Sequence, residues 1–309
     1  MPKQPVQKYY INSFTYALDS KYIWRIMRGM RYTVKQFKAE YPDDRACLKA
    51  VLDNRYGKTC PRCGVVGVKF HPITGRKGFV CSECDRHIYP LADTIFRKSE
   101  TSLWNWFYAI YLFSVAKNGV SAKELERHLG VTYKTAWRMA KQIRLLMAQE
   151  TGKFMGIVEV DETYMGGRRK IDNYHDNKTP IVGIAEKRGM VKATTLSSQA
   201  KAINVMPYVK ANVERLSVLH TDKSRIYMHA NLDYKHRSVD HGEHTYVKNG
   251  IHTNNLEGFW SQLKRSINGT YHVVSPKYLP NYVDEFVFRY NHRHEPVCPV
   301  LLAKAARLV

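Results

Sequence analysis

The chain has 309 residues, 44% hydrophobic and 12% aromatic, which suits two or three packed domains rather than one core. No apolar run is long enough to span a bilayer, and the opening stretch MPKQPVQKYYINSF lacks the apolar segment of a secretory signal, so a soluble cytoplasmic protein without a membrane partner is expected. Lysine and arginine number 49 against 27 acidic residues, a net charge of +22, and this excess is spread along the chain rather than set on one amphipathic helix, which argues for a nucleic-acid partner over a membrane surface.

The first twenty residues read as an arm. Residues 33–53 read as helical, with Pro42 near the start of a second helix and Leu48, Val51 and Leu52 at helical spacing for its apolar contacts. Residues 57–97 are rich in Gly, Cys, Pro and aromatics, as in a small metal-held module. Six cysteines occur in all, and four form two close pairs, Cys60 with Cys63 and Cys81 with Cys84, with seventeen residues between the pairs. Two residues between thiolates permit a tight turn in which both sulfurs converge on one tetrahedral ion, so the pairs predict a four-cysteine zinc site. Gly64 can supply the positive φ of such a turn. Phe70, Phe79 and Tyr89 are expected to cover hairpins too small to fold without metal. With the cysteine set complete, His71 and His87 read as surface or DNA-facing groups. Four thiolates leave no open position, so this zinc is structural.

Residues 100–150 read as helices. Within them, Ser121 and Glu124 form a capping-box pattern, Ala122, Leu125 and Leu129 an apolar stripe, and Gly130 a stop. Thr132 can cap a second helix with the stripe Ala136, Ala140, Ile143 and Met147. Two short helices across a glycine turn suit a helix-turn-helix, although any helical hairpin has the same periodicity. On the helix-turn-helix reading, Lys134, Thr135 and Arg138 near the start of the second helix meet DNA.

Near Gly152 the sequence turns to short β-branched runs separated by Gly, Asp and Asn. Strands are predicted at 157–161, 181–187, 190–196 and 216–222, with a helix at 201–213 before the last. Three strands, a helix and a fourth strand is the order of a ribonuclease-H-like fold, which sets the first and fourth strands side by side. Asp161 and Asp222 then face one another from adjacent strand ends. Glu159 and Glu162 compete with Asp161, which is preferred because it ends the apolar run. Residues 254–268 predict a helix with Leu256, Trp260, Leu263 and Ile267 on its buried stripe. Asn254, Glu257, Ser261 and Lys264 share another face. Glu257 is the choice for a third carboxylate, with Asn254 and His252 as alternatives. Three carboxylates suit phosphodiester chemistry with Mg²⁺ or Mn²⁺, hard ions that take oxygen ligands. A final helix, capped by Ser275-Pro276, has the stripe Leu279, Val283, Phe286 and Tyr290; Arg289 and Arg293 on or near it reach DNA or balance surface charge.

The motifs CPRCG with CSEC, VEVDETYMGG, HTD, HTNNLEGFWSQLKR and EFVFRYNHR together resemble the bacterial insertion-sequence transposases that carry a zinc ribbon and a DDE domain, relatives of the eukaryotic Merlin elements. The resemblance spans nearly the whole chain. It implies that Asp161, Asp222 and Glu257 are the metal-binding triad, and that Lys264 matches the basic residue seven positions after the Glu that touches DNA near the cleavage site, with Arg265 beside it. It implies water-driven cleavage at the element end and direct attack of the freed 3′-hydroxyl on target DNA. Element inverted repeats and target duplex are the implied partners. A dimer or larger assembly on DNA and a bacterial, nucleoid-associated location follow from the same likeness. Arg168, Arg169 and Lys170 suit backbone phosphate, or equally a solvated loop.

The fold class expected is therefore multidomain α/β: an arm with helices over 1–56, a zinc ribbon over 57–97, a helical region with the helix-turn-helix over 98–152, and a ribonuclease-H-like mixed sheet over 153–309. A non-catalytic DNA-binding regulator and a plain nuclease on the same fold are the competing functions.

Overall fold

The structure is a computed structural model and describes residues 32–149, 152–166, 178–187, 189–239 and 254–307. The front half opens with α1 (Val34–Glu40) and α2 (Asp44–Tyr56). Thr33 and Gln36 form a reciprocal capping box on α1, and Asp43 caps α2 by accepting from the Ala46 N–H, so Tyr41-Pro42 falls in the break between two helices. A three-stranded antiparallel sheet follows, β1 (Phe70–Pro72), β2 (Phe79–Cys81) and β3 (His87–Ile88). Then come α3 (Leu103–Val115), α4 (Ala122–Leu129) and α5 (Tyr133–Leu145).

The α4–α5 hairpin forms where the local signals place it. Ser121 accepts from the Glu124 N–H, Gly130 closes α4 with a left-handed φ of 63°, and Thr132 caps α5 by accepting from the Thr135 N–H. Leu125, Ala136, Ala140, Ile143 and Met147 are fully buried, whereas Ala122 and Leu129 are only partly so.

The second half is built on a five-stranded mixed sheet in the order β6-β5-β4-β7-β8. Its strands are β4 (Ile157–Met165), β5 (Thr179–Glu186), β6 (Val191–Thr195), β7 (Val218–Asp222) and β8 (Lys235–Val239). β4, β5 and β6 pair antiparallel, while β7 runs parallel to β4 and β8 parallel to β7. This is the ribonuclease-H-like arrangement, with the first and fourth strands adjacent. The fifth strand, Lys235–Val239, was not among the predicted ones. Its sequence KHRSV lacks apolar alternation, so only pairing with β7 identifies it.

Alternation along the strands gives each face its own cover. Val158, Val160, Val182, Ile184 and Leu219 pack against Val205 and Val209 of α6 (Ala202–Asn212) and against Tyr227. On the other face, Met165, Ile181, Ala185, Val191 and Ala193 pack against α7 (Asn254–Ser266) and α8 (Leu279–Asn291). The predicted stripe of Leu256, Trp260, Leu263 and Ile267 is buried there, with Phe259 added to it. The helix predicted to 268 instead changes after Ser266 to a π-type turn, Ile267–Tyr271.

Two local expectations are corrected. Ser275-Pro276 does not cap α8: the helix starts at Leu279, and the Ser275 carbonyl accepts from the N–H groups of Tyr278 and Leu279 in a preceding turn. Pro280 instead occupies the first turn of α8, where no N–H is needed. β4 does not end at Asp161 but runs four residues further. Thr163, Tyr164 and Met165 are good strand formers and pair with Ile181, Pro180 and Thr179.

The last helix, α9 (Val297–Ala305), returns to the front half. Cys298, Leu301, Leu302 and Ala305 share a core with α2, α3, α5 and the small sheet. A buried ion network also joins the two halves of the chain. Glu285 on α8 has no exposed side-chain surface; it accepts from Arg144 Nε of α5 at 2.8 Å and from Arg289 at 2.7 Å. The Tyr271 hydroxyl donates to the same carboxylate, and the Arg144 guanidinium lies 4.1 Å from the Tyr282 ring centroid. Burial alone would push the Glu285 carboxyl up; the two arginines outweigh it and hold the group below its ordinary range.

Candidate metal centres and nucleic-acid interface

The four cysteines converge from two turns. Cys60 and Cys63 lie on the turn after α2, with Gly64 at φ 76°, and Cys81 and Cys84 on the turn that leaves β2. All four sulfurs lie within 4.8 Å of one another. In each pair a backbone N–H inside the turn points at the first sulfur: Arg62 N–H to Cys60 Sγ and Glu83 N–H to Cys81 Sγ, both at 3.4 Å. Burial raises the Cys60 thiol, but backbone and thiol hydrogen bonds outweigh it and bring the group down to about 6, which favours the thiolate. The Cys60–Cys84 separation of 3.8 Å suits zinc, since ~2.3 Å Zn–S bonds in a tetrahedron set sulfurs about 3.8 Å apart. His71 and His87 are exposed and outside this set. Phe79 is buried beneath the sheet, Phe70 half-buried, and Tyr89 43% exposed, so Tyr89 is a partial cover only.

The carboxylates gather at the junction of β4, β7 and α7. The pairs Ile157–Val218, Val158–Leu219 and Glu159–His220 fix the β4–β7 register at a constant offset of 61 positions, the offset that also separates Asp161 from Asp222. Asp161 is therefore level with the end of β7. Burial is the main force raising its carboxyl, to about 6, and the negative charges of Asp222 and Glu257 add to it, while the Trp260 hydrogen bond pulls the other way. Asp161 is thus close enough to both other predicted acids for their charges to act on it. The oxygens of the three acids are more widely spread than the sulfurs: among the described residues, only the cysteines bring three or more ligand atoms within 4.8 Å. Asn254 stands at the start of α7, one turn from Glu257. Both are exposed, as are Ser261 and Lys264 on the same face. His252 lies outside the described residues.

Two neighbours hold this junction together. Glu159 is 1% exposed, and its carboxylate accepts from the N–H of Asn255 at 3.1 Å and from that residue's side-chain amide at 2.7 Å. The Leu256 N–H lies 3.4 Å from the same carboxylate. A strand acid thus satisfies the open N–H groups at the start of α7 and fixes the helix bearing Glu257 to the strand bearing Asp161. One turn on, the Trp260 indole N–H donates to Asp161 Oδ2 at 3.0 Å. That ring fits because Gly183, paired with Asp161 on β5, has no side chain: a Cβ there would sit 2.6 Å from the indole.

Glu162 points to the opposite sheet face. It accepts from the hydroxyl of fully buried Tyr227, and burial, with Asp161 and Asp222 adding to it, pushes its carboxyl up to about 8. The sequence signal for Glu159 was its place two positions before Asp161 inside an apolar strand. A buried acid there needs donors, and the start of a docked helix supplies them.

Among the predicted DNA contacts, Lys134 and Arg138 are exposed on the first turns of α5, and Thr135 is half-buried with its hydroxyl 3.0 Å from that of Thr132. Lys264 and Arg265 are exposed on the last turn of α7. Arg168, Arg169 and Lys170 lie outside the described residues. Arg289 is committed elsewhere: its side chain is 9% exposed and bonded to Glu285 and the Ala116 carbonyl. Arg293 lies over the Tyr290 ring, 4.2 Å from its centroid. No helix among the described residues is long and apolar enough to cross a membrane.

Two families match this chain. The ISXO2-like transposase domain matches residues 153–291, and the transposase zinc-ribbon domain matches residues 42–87. An uncharacterized protein in transposable element ISH50 of Halobacterium salinarum is 25% identical over 265 residues, covering 79% of this chain and 89% of that protein. A cryo-EM structure of a simian T-cell lymphotropic virus intasome, in complex with PP2A regulatory subunit B56 gamma, aligns with 60% of this chain and 68% of that chain, at 14% identity and a TM-score of 0.30. That likeness is too slight to bear on function.

Proposed function

Because the chain belongs to the IS1595 family of insertion-sequence transposases, we propose that it cuts DNA at the ends of an insertion sequence and joins the freed 3′-hydroxyls to target duplex by metal-dependent transesterification. The observation that carries this reading is the register that sets Asp161 on β4 level with Asp222 at the end of the adjacent β7, with Glu257 of α7 near enough for its charge to act on Asp161. Such a set of oxygen donors fits Mg²⁺ or Mn²⁺. Divalent ions held there by Asp161, Asp222 and Glu257 would supply activation of the attacking oxygen and stabilisation of the leaving one.

The chain's own residues do the positioning. Trp260 orients the Asp161 carboxylate, and Glu159 holds the first turn of α7, with Glu257, against β4. Asn254 is the alternative third ligand. Lys264 and Arg265 take backbone phosphate beside the cut, and Lys134, Thr135 and Arg138 carry element-end recognition on α5. Water attacks the phosphodiester at the element end, the 3′-oxygen leaves as a hydroxyl, and that hydroxyl then attacks a target phosphodiester, breaking its bond to the target's 3′-oxygen, which leaves as a hydroxyl in turn. The cysteine quartet holds structural zinc. Duplex DNA is the partner, and two element ends require at least two copies of the chain. On this reading the functional units are the segments 1–56, 57–97, 98–152 and 153–309, working in the cytoplasm on the bacterial nucleoid.

The test is an incubation of the full chain with Mg²⁺ or Mn²⁺, duplexes bearing the element ends and a target plasmid. Joined products support transposition, cleavage without joining a nuclease, and binding alone a regulator. Asp161→Asn is expected to abolish joining while leaving end binding intact; retained joining removes Asp161 from the site. If Asn254→Ala abolishes cleavage and Glu257→Gln does not, the third ligand is Asn254.

A further inference from the structure

The helix assigned to element-end recognition carries more cations than that reading uses. Lys134, Arg138 and Lys141 follow one another on α5 at spacings of four and three, which sets them in one row along the helix. Lys134 and Arg138 are exposed and Lys141 is half-buried. The row runs about 10 Å along the helix axis. It ends against the second half of the chain, at the turn over 275–278 that leads into α8, where the Tyr278 N–H bonds to the Ser275 carbonyl at 3.0 Å.

Two aromatic rings gather cations at that junction. Trp137 of α5 and Tyr278 of the turn meet edge to face, with centroids 5.3 Å apart and planes at 78°. Lys141 Nζ lies 5.8 Å from the centroid of each ring. Lys277, exposed beside Tyr278, places its Nζ 5.6 Å from the Tyr278 centroid. Two ammonium groups, one from each half of the chain, therefore share one ring.

The rings attract these cations but leave their charge intact. No carboxylate neutralises it: among the described residues neither lysine is in an ion pair, and the first turns of α5 and α8 carry no acid. Like charges gathered in this way repel, and an anion held between them removes that cost. The junction is also fixed in place. Arg144, three residues beyond Lys141 on α5, is buried in its ion pair with Glu285 of α8 at 2.8 Å, so the helix with Lys141 and the helix that follows Tyr278 are locked together.

We propose that Lys141 and Lys277 together take one backbone phosphate of the duplex that α5 reads, so that the half bearing the acids contributes directly to end binding. The inference rests on the element-end reading of α5 above and adds to it a phosphate site that spans the two halves. Lysine meets a phosphate as a point charge, and such a contact fixes register without reading sequence. Lys134 and Arg138 lead the duplex backbone to this site, because they precede Lys141 in the same row. A phosphate held from both sides of the junction gives the recognised end one orientation relative to the sheet that carries Asp161.

The experiment measures binding of the full chain, without Mg²⁺, to element-end duplexes and to random-sequence duplexes across a range of salt. The double variant Lys141→Gln with Lys277→Gln is expected to lower the slope of log K against log salt by about 0.9, the value for a single phosphate. It is expected to weaken binding by the same factor on both duplexes, since a phosphate contact reads no sequence. Neither substitution touches the buried Arg144–Glu285 pair. Neutral methylphosphonates, placed one at a time through the end duplex, then locate the contact. The unsubstituted chain is expected to lose affinity at one position where the double variant loses none. An unchanged slope, or a double variant that responds to every methylphosphonate as the unsubstituted chain does, overturns the site and leaves end binding by α5 standing. A fall in slope twice as large gives each lysine its own phosphate and overturns the shared site. Absence of any preference for end duplexes in the unsubstituted chain overturns the element-end reading and this site with it.

Discussion

The four cysteines occupy 25 consecutive residues, and their sulfurs lie within 4.8 Å of one another. Asp161 and Glu257 are 96 positions apart, and they meet Asp222 only after a sheet has formed and α7 has docked on it. The first cluster depends on two turns and on chain length between them. The second depends on strand register, a buried strand acid and an indole with room to lie flat. A local centre therefore fails when a ligand is lost, whereas an assembled centre fails when any of several distant supports is lost.

Removing a ligand should give the largest effect. Cys81→Ser is expected to abolish zinc binding and to unfold residues 57–97, because the small sheet has little core of its own and structural zinc contributes on the order of 10 kcal/mol in isolated modules. Zinc content and limited proteolysis measure this. Cleavage sites confined to β4–β8 instead would show that the cysteines do not hold the ribbon.

The next largest effect lies in the buried ion network. Glu285→Gln leaves Arg144 and Arg289 buried without their counter-charge, a loss of about 3–5 kcal/mol, read as a fall in the denaturation midpoint. The pH dependence has a defined sign. Glu285 is held below its ordinary range, so its stabilisation is present above the unfolded value of about 4.3 and is lost as pH falls through the folded value. Asp161 and Glu162 are raised, to about 6 and about 8, so they act oppositely: their contribution is present below about 4 and is lost as pH climbs past those values. Mg²⁺ is expected to restore the loss at Asp161 and to leave the Glu285 limb unchanged.

Two smaller perturbations separate support from chemistry in the assembled centre. Glu159→Gln keeps the side chain's shape but removes the charge facing the start of α7, and is expected to cost about 2 kcal/mol and to raise the Mg²⁺ concentration needed for cleavage. Gly183→Ala should cost about 1–3 kcal/mol by crowding, because its new Cβ meets the Trp260 ring. Its activity loss should exceed its stability loss, since the indole N–H is carried away from Asp161. Full activity in a destabilised Gly183→Ala protein would separate Trp260 from the chemistry.

Both kinds of legibility appear among the site residues. The cysteine spacing, the Ser121, Gly130 and Thr132 caps and the face shared by Glu257 and Lys264 could be read along the chain, because each depends on neighbours within a few residues. Asp161 was preferred to Glu159 because it ends the apolar run, but β4 continues past it to Met165, so that reason does not separate them. Both are acids in one apolar strand, and what separates them is that α7 starts over the first and lays Trp260 against the second. Arg289, read as reaching DNA or balancing surface charge, is instead held inside by Glu285 and by the Ala116 carbonyl, 173 positions away.

The convergence of the cysteine pairs, the caps of the α4–α5 hairpin and the order of strands and helix before β7 were thus set by the sequence itself, through turn lengths, capping and periodicity, all short-range effects. Tertiary structure alone decided that KHRSV becomes a fifth strand, that the last helix joins the core of the front half, and that a buried Glu–Arg network ties α5 to α8. Those outcomes rest on contacts whose partners are far apart in the chain, and no local pattern encodes which partner a buried charge or an unpaired strand edge will find.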